Sequence, residues 1–298
     1  MVQLLNHKEV RHLLPLRPPD GHKGSFGHLA VAAGSTGFAG AVKLACLGAY
    51  RSGAGLVTAC VPAAIFDSLA SSLTEVMLKK CSSTAEGSLS EAAFSELMSF
   101  CGDKSTLLLG PGLSRHEETV RCVRRLCREI TLPLVIDADA LNALAEHKDD
   151  MKDAFHLREE PVIVTPHPGE MSRLAGLPTA YIQKNRIPVA LEFAQRWQVI
   201  TALKGKDTII AAPDGRVALC PLGNNGMATG GSGDVLAGIA GALLAQKIPA
   251  FDAACAAVYV HALAGDFAAR RLGTRALIAG DIIDALPPAW QALEGYGL

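Results

Sequence analysis

The stretch GNNGMATGGSGDVLAGIAGALLA, residues 223–245, changes character partway along its length. Its glycine-rich first half predicts a loop, because glycine adopts backbone conformations that other residues avoid. The apolar run that follows, residues 235–245, predicts a buried helix. A single acid, Asp234, stands at the junction of loop and helix. Whether this carboxylate caps the helix or serves as a catalytic base is the question the rest of the sequence must decide.

The composition narrows the class of protein to which the chain can belong. The chain has 298 residues, of which 49% are hydrophobic and 19% charged, with a formal net charge of -1. Such a balance is typical of a globular protein and gives no support for a nucleic-acid surface. The first 20 residues mix charges with apolar residues, unlike a signal peptide, and no apolar run is long enough to span a membrane. We therefore expect a cytoplasmic protein with no nucleic-acid or membrane partner.

The cysteines also favour a cytoplasmic protein. None of the eight forms a C-x-x-C pair or has partners at zinc-ligand spacing. We interpret them as reduced core residues, which is typical of a reducing compartment.

Short apolar runs predict the sheet. Most of the six strand candidates are continuously apolar, as expected for parallel strands covered by helices on both faces. The candidates are residues 28–34, 55–61, 106–110, 133–139, 161–167 and 198–205. The next segment, DTIIAAPDGRVALC, contains a Pro-Asp-Gly turn and predicts a small antiparallel hairpin. The fold class is therefore α/β, with a mostly parallel central sheet. No linker or repeat is evident, so residues 1–298 are expected to form one domain.

Residues that a core does not favour stand at the carboxyl ends of five of these runs: Gly34, Gly110, Asp137, His167 and Lys204. In open α/β sheets, ligands bind beyond the carboxyl ends of the strands. We therefore expect these residues, which are distant in sequence, to meet along one edge of the sheet.

The glycine loops indicate a nucleotide ligand, but not one held by a dinucleotide fingerprint. GSTGFAGA, residues 34–41, has G-x-x-G-x-x-G spacing and no acid ends the next strand. LKGKDT, residues 203–208, supplies two lysines at a strand exit, either for a phosphate or ribose or merely as a solvated turn. The turn TPHPGE, residues 165–170, projects His167 and Glu170, for which a ligand role and a structural role are both open.

The loop before Asp234 is the strongest local signal. Helix N-termini bind phosphate through unpaired N–H groups, and glycines at 230, 231 and 233 would let the backbone wrap an anion. A carboxylate repels such an anion, so Asp234 makes sense as a base that orients an acceptor hydroxyl and takes its proton during phosphoryl transfer. We favour this role over an N-cap, and expect the helix start to favour the ionised carboxylate.

Taken together, the motifs resemble the ribokinase-like superfamily of vitamin and sugar kinases and, within it, the NAD(P)H-hydrate dehydratase family. The resemblance runs from about His22 to the helix after residue 245 and rests on seven segments in order: HKGSFGHLAVAAGSTGFAGA, AYRSGAGLVT, GPGLS, VIDADALNAL, VTPHPGEMSRL, LKGKDT and GNNGMATGGSGDVLAG.

The resemblance implies a repair lyase that consumes ADP or ATP with Mg²⁺ and converts the S epimer of hydrated NADH or NADPH back to the cofactor. Asp234 would be the catalytic base, and Glu170 would contact the metal through water. The hydrated nicotinamide nucleotide would contact Ala39, Gly112, His167 and Asp234. The adenine nucleotide would contact Lys204, Gly205, Lys206, Asp207, Thr208 and Gly233.

The resemblance also implies a homotetramer. Many relatives carry an N-terminal epimerase domain, and only about 20 residues precede the matching region here, so we expect cooperation with a separate epimerase. Two alternatives stay open. One is a kinase of the same fold acting on a vitamin or sugar-like alcohol, although such kinases usually carry Asn in place of His167. The other is a nucleotide-binding regulatory protein without turnover, which would not need Asp234 beside the phosphate loop.

Overall fold

In the computed structural model of the chain, residues 2–146 and 148–295 are described. One ten-stranded sheet runs through them. Its strands, in chain order, are β1 (Val2–Leu4), β2 (His28–Ala32), β3 (Leu56–Pro62), β4 (Met77–Cys81), β5 (Thr106–Leu109), β6 (Leu134–Ile136), β7 (Val162–Val164), β8 (Ile200–Leu203), β9 (Thr208–Ala211) and β10 (Val217–Cys220).

The spatial order of the strands is β1-β10-β9-β8-β7-β6-β5-β2-β3-β4. All neighbours pair in parallel except β8 with β9 and β9 with β10, which are antiparallel. The predicted mostly parallel sheet, its six apolar strands and the hairpin are therefore confirmed. β1 and β4 are the two edge strands and were not predicted.

Helices cover both faces of this sheet. Those in the described residues are α1 (His7–Leu13), α2 (Ala39–Arg51), α3 (Ala63–Ala70), α4 (Ala93–Cys101), α5 (Glu117–Glu129), α6 (Ala138–Ala145), α7 (Lys148–His156), α8 (Pro168–Ala175), α9 (Thr179–Lys184), α10 (Arg186–Trp197), α11 (Ser232–Ala245), α12 (Ala250–Leu272) and α13 (Ala279–Glu294).

Alternation along the strands divides the buried apolar residues into two cores. On β2, Leu29 and Val31 join the core that contains α2, α11, α12 and α13, whereas Ala30 and Ala32 join the core under the helices from α4 to α10. Successive side chains of a strand point to opposite faces, so a strand buried on both faces must be apolar throughout. This requirement explains why the strands read as continuous apolar runs.

Helix α11 packs against α2 with unusually close backbones. A Cβ on Gly238 would overlap the carbonyl of Ala45, and a Cβ on Gly48 would lie 2.8 Å from the carbonyl oxygen of Val235. Glycines from both helices therefore permit the approach that places the start of α11 at the carboxyl edge of the sheet.

Two further expectations concern the buried residues and the membrane. All eight cysteines are unpaired and buried, which confirms their interpretation as core residues. Across residues 2–146 and 148–295, no helix combines the length and apolar character needed to cross a membrane.

Candidate active site

The predicted meeting of strand ends is confirmed. The five strands concerned, β8, β7, β6, β5 and β2, are consecutive neighbours in the sheet, and all run parallel. The amide of Gly34 donates to the carbonyl of Pro111 at 2.8 Å. Further along the edge, a Cβ on Gly110 would overlap the carbonyl of Asp137. The topology thus brings residues from five strands to one continuous edge.

A charged cluster occupies the middle of this edge. The Nζ atom of Lys204 donates to Oδ1 of Asp137 at 2.6 Å and lies 3.9 Å from Oε2 of Glu170. Both carboxylates are buried, Asp137 being 1% exposed and Glu170 5%. Burial would lower the pKa of Lys204, but Asp137 and Glu170 outweigh it and raise this pKa above its ordinary value. Lys204 is therefore a fixed cation at the site.

The turn after β7 forms a reciprocal cap on α8. Nδ1 of His167 accepts from the amides of Gly169 and Glu170 at 2.9 and 3.3 Å, while Oε2 of Glu170 accepts from the His167 amide at 2.7 Å. Burial, aided by Lys204, lowers the pKa of His167, so its ring stays neutral and able to accept. Burial raises the pKa of Glu170 to about 7, against the opposing effect of Lys204.

Asp234 lies in the first turn of α11, whose N-cap is Gly231 with no side-chain cap bond. The alternative N-cap role for Asp234 is therefore wrong, because the helix begins two residues before it. Burial, reinforced by Asp137, raises the pKa of Asp234 to about 7, with Lys204 opposing. Desolvation therefore outweighs the favourable effect that the helix start is expected to have on the ionised form.

A cavity of about 680 Å³ opens beside this cluster. All six residues assigned to the adenine nucleotide line it, together with His167. A Cβ on Gly233 would lie 3.3 Å from Nζ of Lys204 and 3.6 Å from Oδ2 of Asp137, so the glycine loop rests directly on the charged pair. This volume falls in the range of small-molecule sites.

Ala39 and Gly112 lie close to each other, and neither is among the residues that line the cavity. Ala39 is the first residue of α2, and a Cβ on Gly112 would lie 2.8 Å from Cβ of Phe38, the residue before it. The hydroxyl of Ser35 donates to the carbonyl of Gly112 at 2.8 Å, which fixes the two loops to each other. His167 lines the cavity, whereas Ala39, Gly112 and Asp234 are not among its lining residues.

Backbone strain concentrates at this edge. Three non-glycine residues in the site loops have positive φ: Ser114 at 75°, Ala138 at 52° and Asp207 at 55°. Each follows the end of a strand by a few residues. Residues other than glycine rarely adopt a positive φ. Such strain is common in loops whose conformation is fixed by a functional site.

The site residues also fit the magnesium ion that the resemblance implies. Mg²⁺ prefers oxygen ligands and is usually held by one or two carboxylates together with substrate phosphates and waters. Asp137 and Glu170 are two such carboxylates, both bound to Lys204 at the carboxyl edge. No group of three or more His, Cys, Asp or Glu suited to a metal occurs among the described residues, so the phosphates would have to complete the shell.

Several cavity residues escaped prediction. They include the loop at residues 221–229 except Gly226, together with Ser232 and His261. His261 lies inside an apolar helical run, where a lone histidine carries no signal of its position. Asp137 was predicted as a strand-end residue, but its ion pair with Lys204, 67 residues away, could not be read from spacing.

The protein has an α/β, ribokinase-like fold. Its defining features are the mostly parallel sheet, the helix α11 with its glycine N-cap, and the charged residues at the carboxyl edge of the sheet. A ribokinase-like superfamily protein from Enterococcus faecalis superposes with a TM-score of 0.83 at 25% identity, covering 98% of this chain and 97% of that one.

The chain belongs to the NAD(P)H-hydrate dehydratase family, whose sequence model matches residues 29–288. It is 44% identical over 292 residues to the bifunctional NAD(P)H-hydrate repair enzyme Nnr of Moorella thermoacetica, covering 98% of this chain and 54% of that protein. It is 36% identical to the ADP-dependent (S)-NAD(P)H-hydrate dehydratase of Neisseria meningitidis, covering 92% of this chain and 88% of that one.

A solved structure points to the same family. The ADP/ATP-dependent NAD(P)H-hydrate dehydratase from Bacillus subtilis, co-crystallized with ATP/Mg2+, superposes with a TM-score of 0.84 at 31% identity, covering 98% of this chain and 99% of that one. The chain spans about half the length of the bifunctional relatives it matches.

Proposed function

We propose that this protein dehydrates the S epimer of hydrated NADH or NADPH at the expense of ADP or ATP, restoring the reduced cofactor. The observation that carries the proposal is Asp234, a carboxylate with a pKa raised to about 7 in the first turn of a glycine-started helix. The two residues before it, Ser232 and Gly233, line a cavity whose wall also includes Lys204. A base beside a phosphate site is what phosphoryl transfer to a hydroxyl requires.

The chemistry proceeds in two stages. Asp234 accepts the proton of the ring hydroxyl as its oxygen attacks the terminal phosphorus, and the bond to the departing AMP or ADP breaks. The ring nitrogen lone pair then forms a C=N bond as the carbon–oxygen bond of the phosphate ester breaks, and inorganic phosphate leaves. Loss of a ring proton restores the dihydropyridine. The amides at the start of α11 stabilise charge that develops on the transferred group.

The residues assigned to the adenine nucleotide fit this reaction. Lys204 supplies a fixed positive charge next to Gly233, and the strained backbone from Gly205 to Asp207 follows it. We propose that Lys204, Gly205, Lys206, Asp207, Thr208 and Gly233 bind the nucleotide. When bound, Mg²⁺ would neutralise the phosphates, with Asp137 and Glu170 holding it directly or through water.

We further propose that Ala39, Gly112, His167 and Asp234 contact the hydrated nicotinamide nucleotide. His167 is neutral and half-exposed in the cavity wall. Its Nδ1 is engaged by the α8 cap, which leaves Nε2, 3.4 Å from Glu170, as the atom available to a polar substrate. Ala39 and Gly112 would frame the substrate from the side of α2.

The biological setting is part of the same proposal. The name of the Neisseria relative favours ADP as the donor, with AMP as product, whereas the B. subtilis enzyme is ADP/ATP-dependent and was co-crystallized with ATP/Mg2+. We propose a single domain that acts in the cytoplasm as a homotetramer. The bifunctional names of several relatives support cooperation with a second repair activity, an epimerase that interconverts the R and S hydrates.

The test is to incubate the protein with the separated S and R epimers of hydrated NADH, Mg²⁺ and either ADP or ATP. Recovery of dihydronicotinamide absorbance from the S epimer alone, with one phosphate released per cofactor restored, is expected. Absence of nucleotide-dependent recovery with both donors would refute the proposal. Stable phosphorylation of hydroxyethylthiazole or hydroxymethylpyrimidine under the same conditions would favour the kinase alternative.

A further inference from the structure

A loop with almost no regular structure forms one wall of the large cavity. Every residue of the segment 221–229 except Gly226 lines the cavity, and we call this segment the wall loop. Its one regular element is a single 3-10 turn at Asn225–Met227. A loop of this kind has little internal stability, so its position depends on what holds it from outside.

Three hydrogen bonds hold the wall loop against α12, and a fourth lies within the loop. The side chain of Asn224 donates from Nδ2 to the carbonyl of Gly265 at 3.0 Å and to Oδ1 of Asp266 at 2.9 Å. The other carboxylate oxygen of Asp266 accepts from the amide of Gly223 at 3.1 Å. Oδ1 of Asn224 accepts in turn from the amide of Gly226 at 3.0 Å.

Packing reinforces these bonds at either end of the turn. A Cβ on Gly265 would overlap the sulfur of Met227, so the methionine lies directly on the helix backbone. A Cβ on Gly226 would lie 2.6 Å from the carbonyl oxygen of Thr274. The loop is therefore clamped at Gly223, Asn224 and Met227, and each clamp depends on the 265–266 position of α12.

We propose that the Asn224–Asp266 pair positions the wall loop and thereby sets the affinity of the cavity for its adenine nucleotide. This inference rests on the proposed function for the identity of the ligand. Neither residue belongs to the charged cluster or to the first turn of α11, so the pair acts on binding and leaves the chemical step alone. A wall that is fixed before the ligand arrives spares the ordering cost of binding.

The hydrogen-bond polarity provides a sharp test. In Asp266→Asn one oxygen becomes an amide donor, which must face either Nδ2 of Asn224 or the amide of Gly223, so one bond is lost. In Asn224→Asp two carboxylates face each other. The double exchange Asn224→Asp with Asp266→Asn inverts the donor and acceptor. It restores the bond between the pair and keeps the bonds to Gly223 and Gly226, but it leaves the carbonyl of Gly265 without its donor.

The experiment measures the Kd for ADP and for ATP with Mg²⁺ by calorimetry, alongside kcat and the KM for each substrate. Each single variant is expected to weaken nucleotide binding by about tenfold, because a bond to a charged group is lost. The kcat and the KM for the hydrate should stay within about twofold of wild type. The double exchange should recover part of the lost affinity, because the bond between the pair returns while the bond to the carbonyl of Gly265 does not.

Asp284→Asn, an exposed change of the same chemistry on α13, is the matched control and should leave every value unchanged. Melting temperatures identify any variant that unfolds, and Asn224→Ser then replaces it. The inference is overturned if the single variants keep wild-type nucleotide Kd, if they lower kcat instead, or if the double exchange binds no better than either single variant. Failure of the proposed function would appear separately, as absent turnover in the wild-type protein.

Discussion

At the scale of single residues, Asp234 is held between opposing influences. The start of α11 favours a negative charge, while burial and the nearby Asp137 disfavour it and raise the pKa to about 7. A base is most effective when its pKa lies near the working pH, since it is then both available and strong enough to take a proton. The position of Asp234 therefore suits proton abstraction at neutral pH.

The first prediction concerns pH. Because Asp234 must be ionised to accept a proton, kcat/KM for the hydrate should rise with pH and level off above about pH 7. Glu170, with its pKa also raised to about 7, contributes to the same limb. A pH–rate profile from pH 4.5 to 9 measures this limb. A limb centred near pH 4 would contradict the role of a buried base.

The same shift has a consequence for stability. Between the ordinary pKa of 3.8 and the native value of about 7, the folded protein binds more protons at Asp234 than the unfolded chain does. Its ionisation therefore destabilises the fold as pH rises through this window. At pH 8, Asp234→Asn should raise the free energy of unfolding by up to about 4 kcal/mol, the free-energy equivalent of the difference between these two pKa values, and at pH 4 it should have little effect. Denaturant unfolding at both pH values measures this, and a destabilised variant at pH 8 would contradict it.

Gly233 and Gly230 offer a matched pair in the phosphate loop. A Cβ at Gly233 would lie 3.3 Å from Nζ of Lys204, whereas one at Gly230 would meet no atom within 4 Å. Gly233→Ala should therefore displace the lysine and weaken ADP or ATP binding by about tenfold, which corresponds to the loss of a charged hydrogen bond. Gly230→Ala should bind almost normally. Equal nucleotide Kd values in calorimetry would argue against contact between this loop and the phosphates.

At the scale of elements, the sequence predicted those strands and turns that are determined by residues close together in the chain. The buried strands are continuously apolar, and the hairpin has its Pro-Asp-Gly turn, so both could be recognised. β4 could not, because MLKKC is an edge strand whose lysines break the apolar pattern. The ion pair of Asp137 with Lys204 and the contacts of the wall loop with α12 could not be predicted either, since contacts between residues tens of positions apart depend on the strand order.

The contact between α11 and α2 carries the fourth prediction. Gly238→Ala places a methyl group on the carbonyl of Ala45, which is backbone and cannot move aside without separating the helices. We expect a loss of about 2 kcal/mol in the free energy of unfolding, as for overpacked cores. Gly280→Ala in α13, where a Cβ meets no atom within 4 Å, should be neutral or stabilising. Denaturant titration compares them, and equal stability would show that the helices are not so closely packed.

At the scale of the whole molecule, one sheet edge carries the proposed function. Five neighbouring parallel strands deliver the glycines, the charged cluster and the cap of α8, and the close packing of α11 on α2 sets Asp234 beside them. The hairpin follows β8 directly and its loop to α11 closes the cavity. Membership of the NAD(P)H-hydrate dehydratase family agrees with this arrangement and turns a phosphoryl-transfer site into a specific hypothesis of cofactor repair.

The most direct measurement compares wild type with Asp234→Asn in two assays. One follows the absorbance of dihydronicotinamide recovered from S-hydrated NADH with Mg²⁺ and ADP or ATP, and the other measures nucleotide Kd by calorimetry. The account predicts nucleotide-dependent recovery by the wild type and a loss of at least about a thousandfold in kcat for the variant, with nucleotide affinity retained. Near-normal turnover by Asp234→Asn would contradict the central claim that this carboxylate is the base.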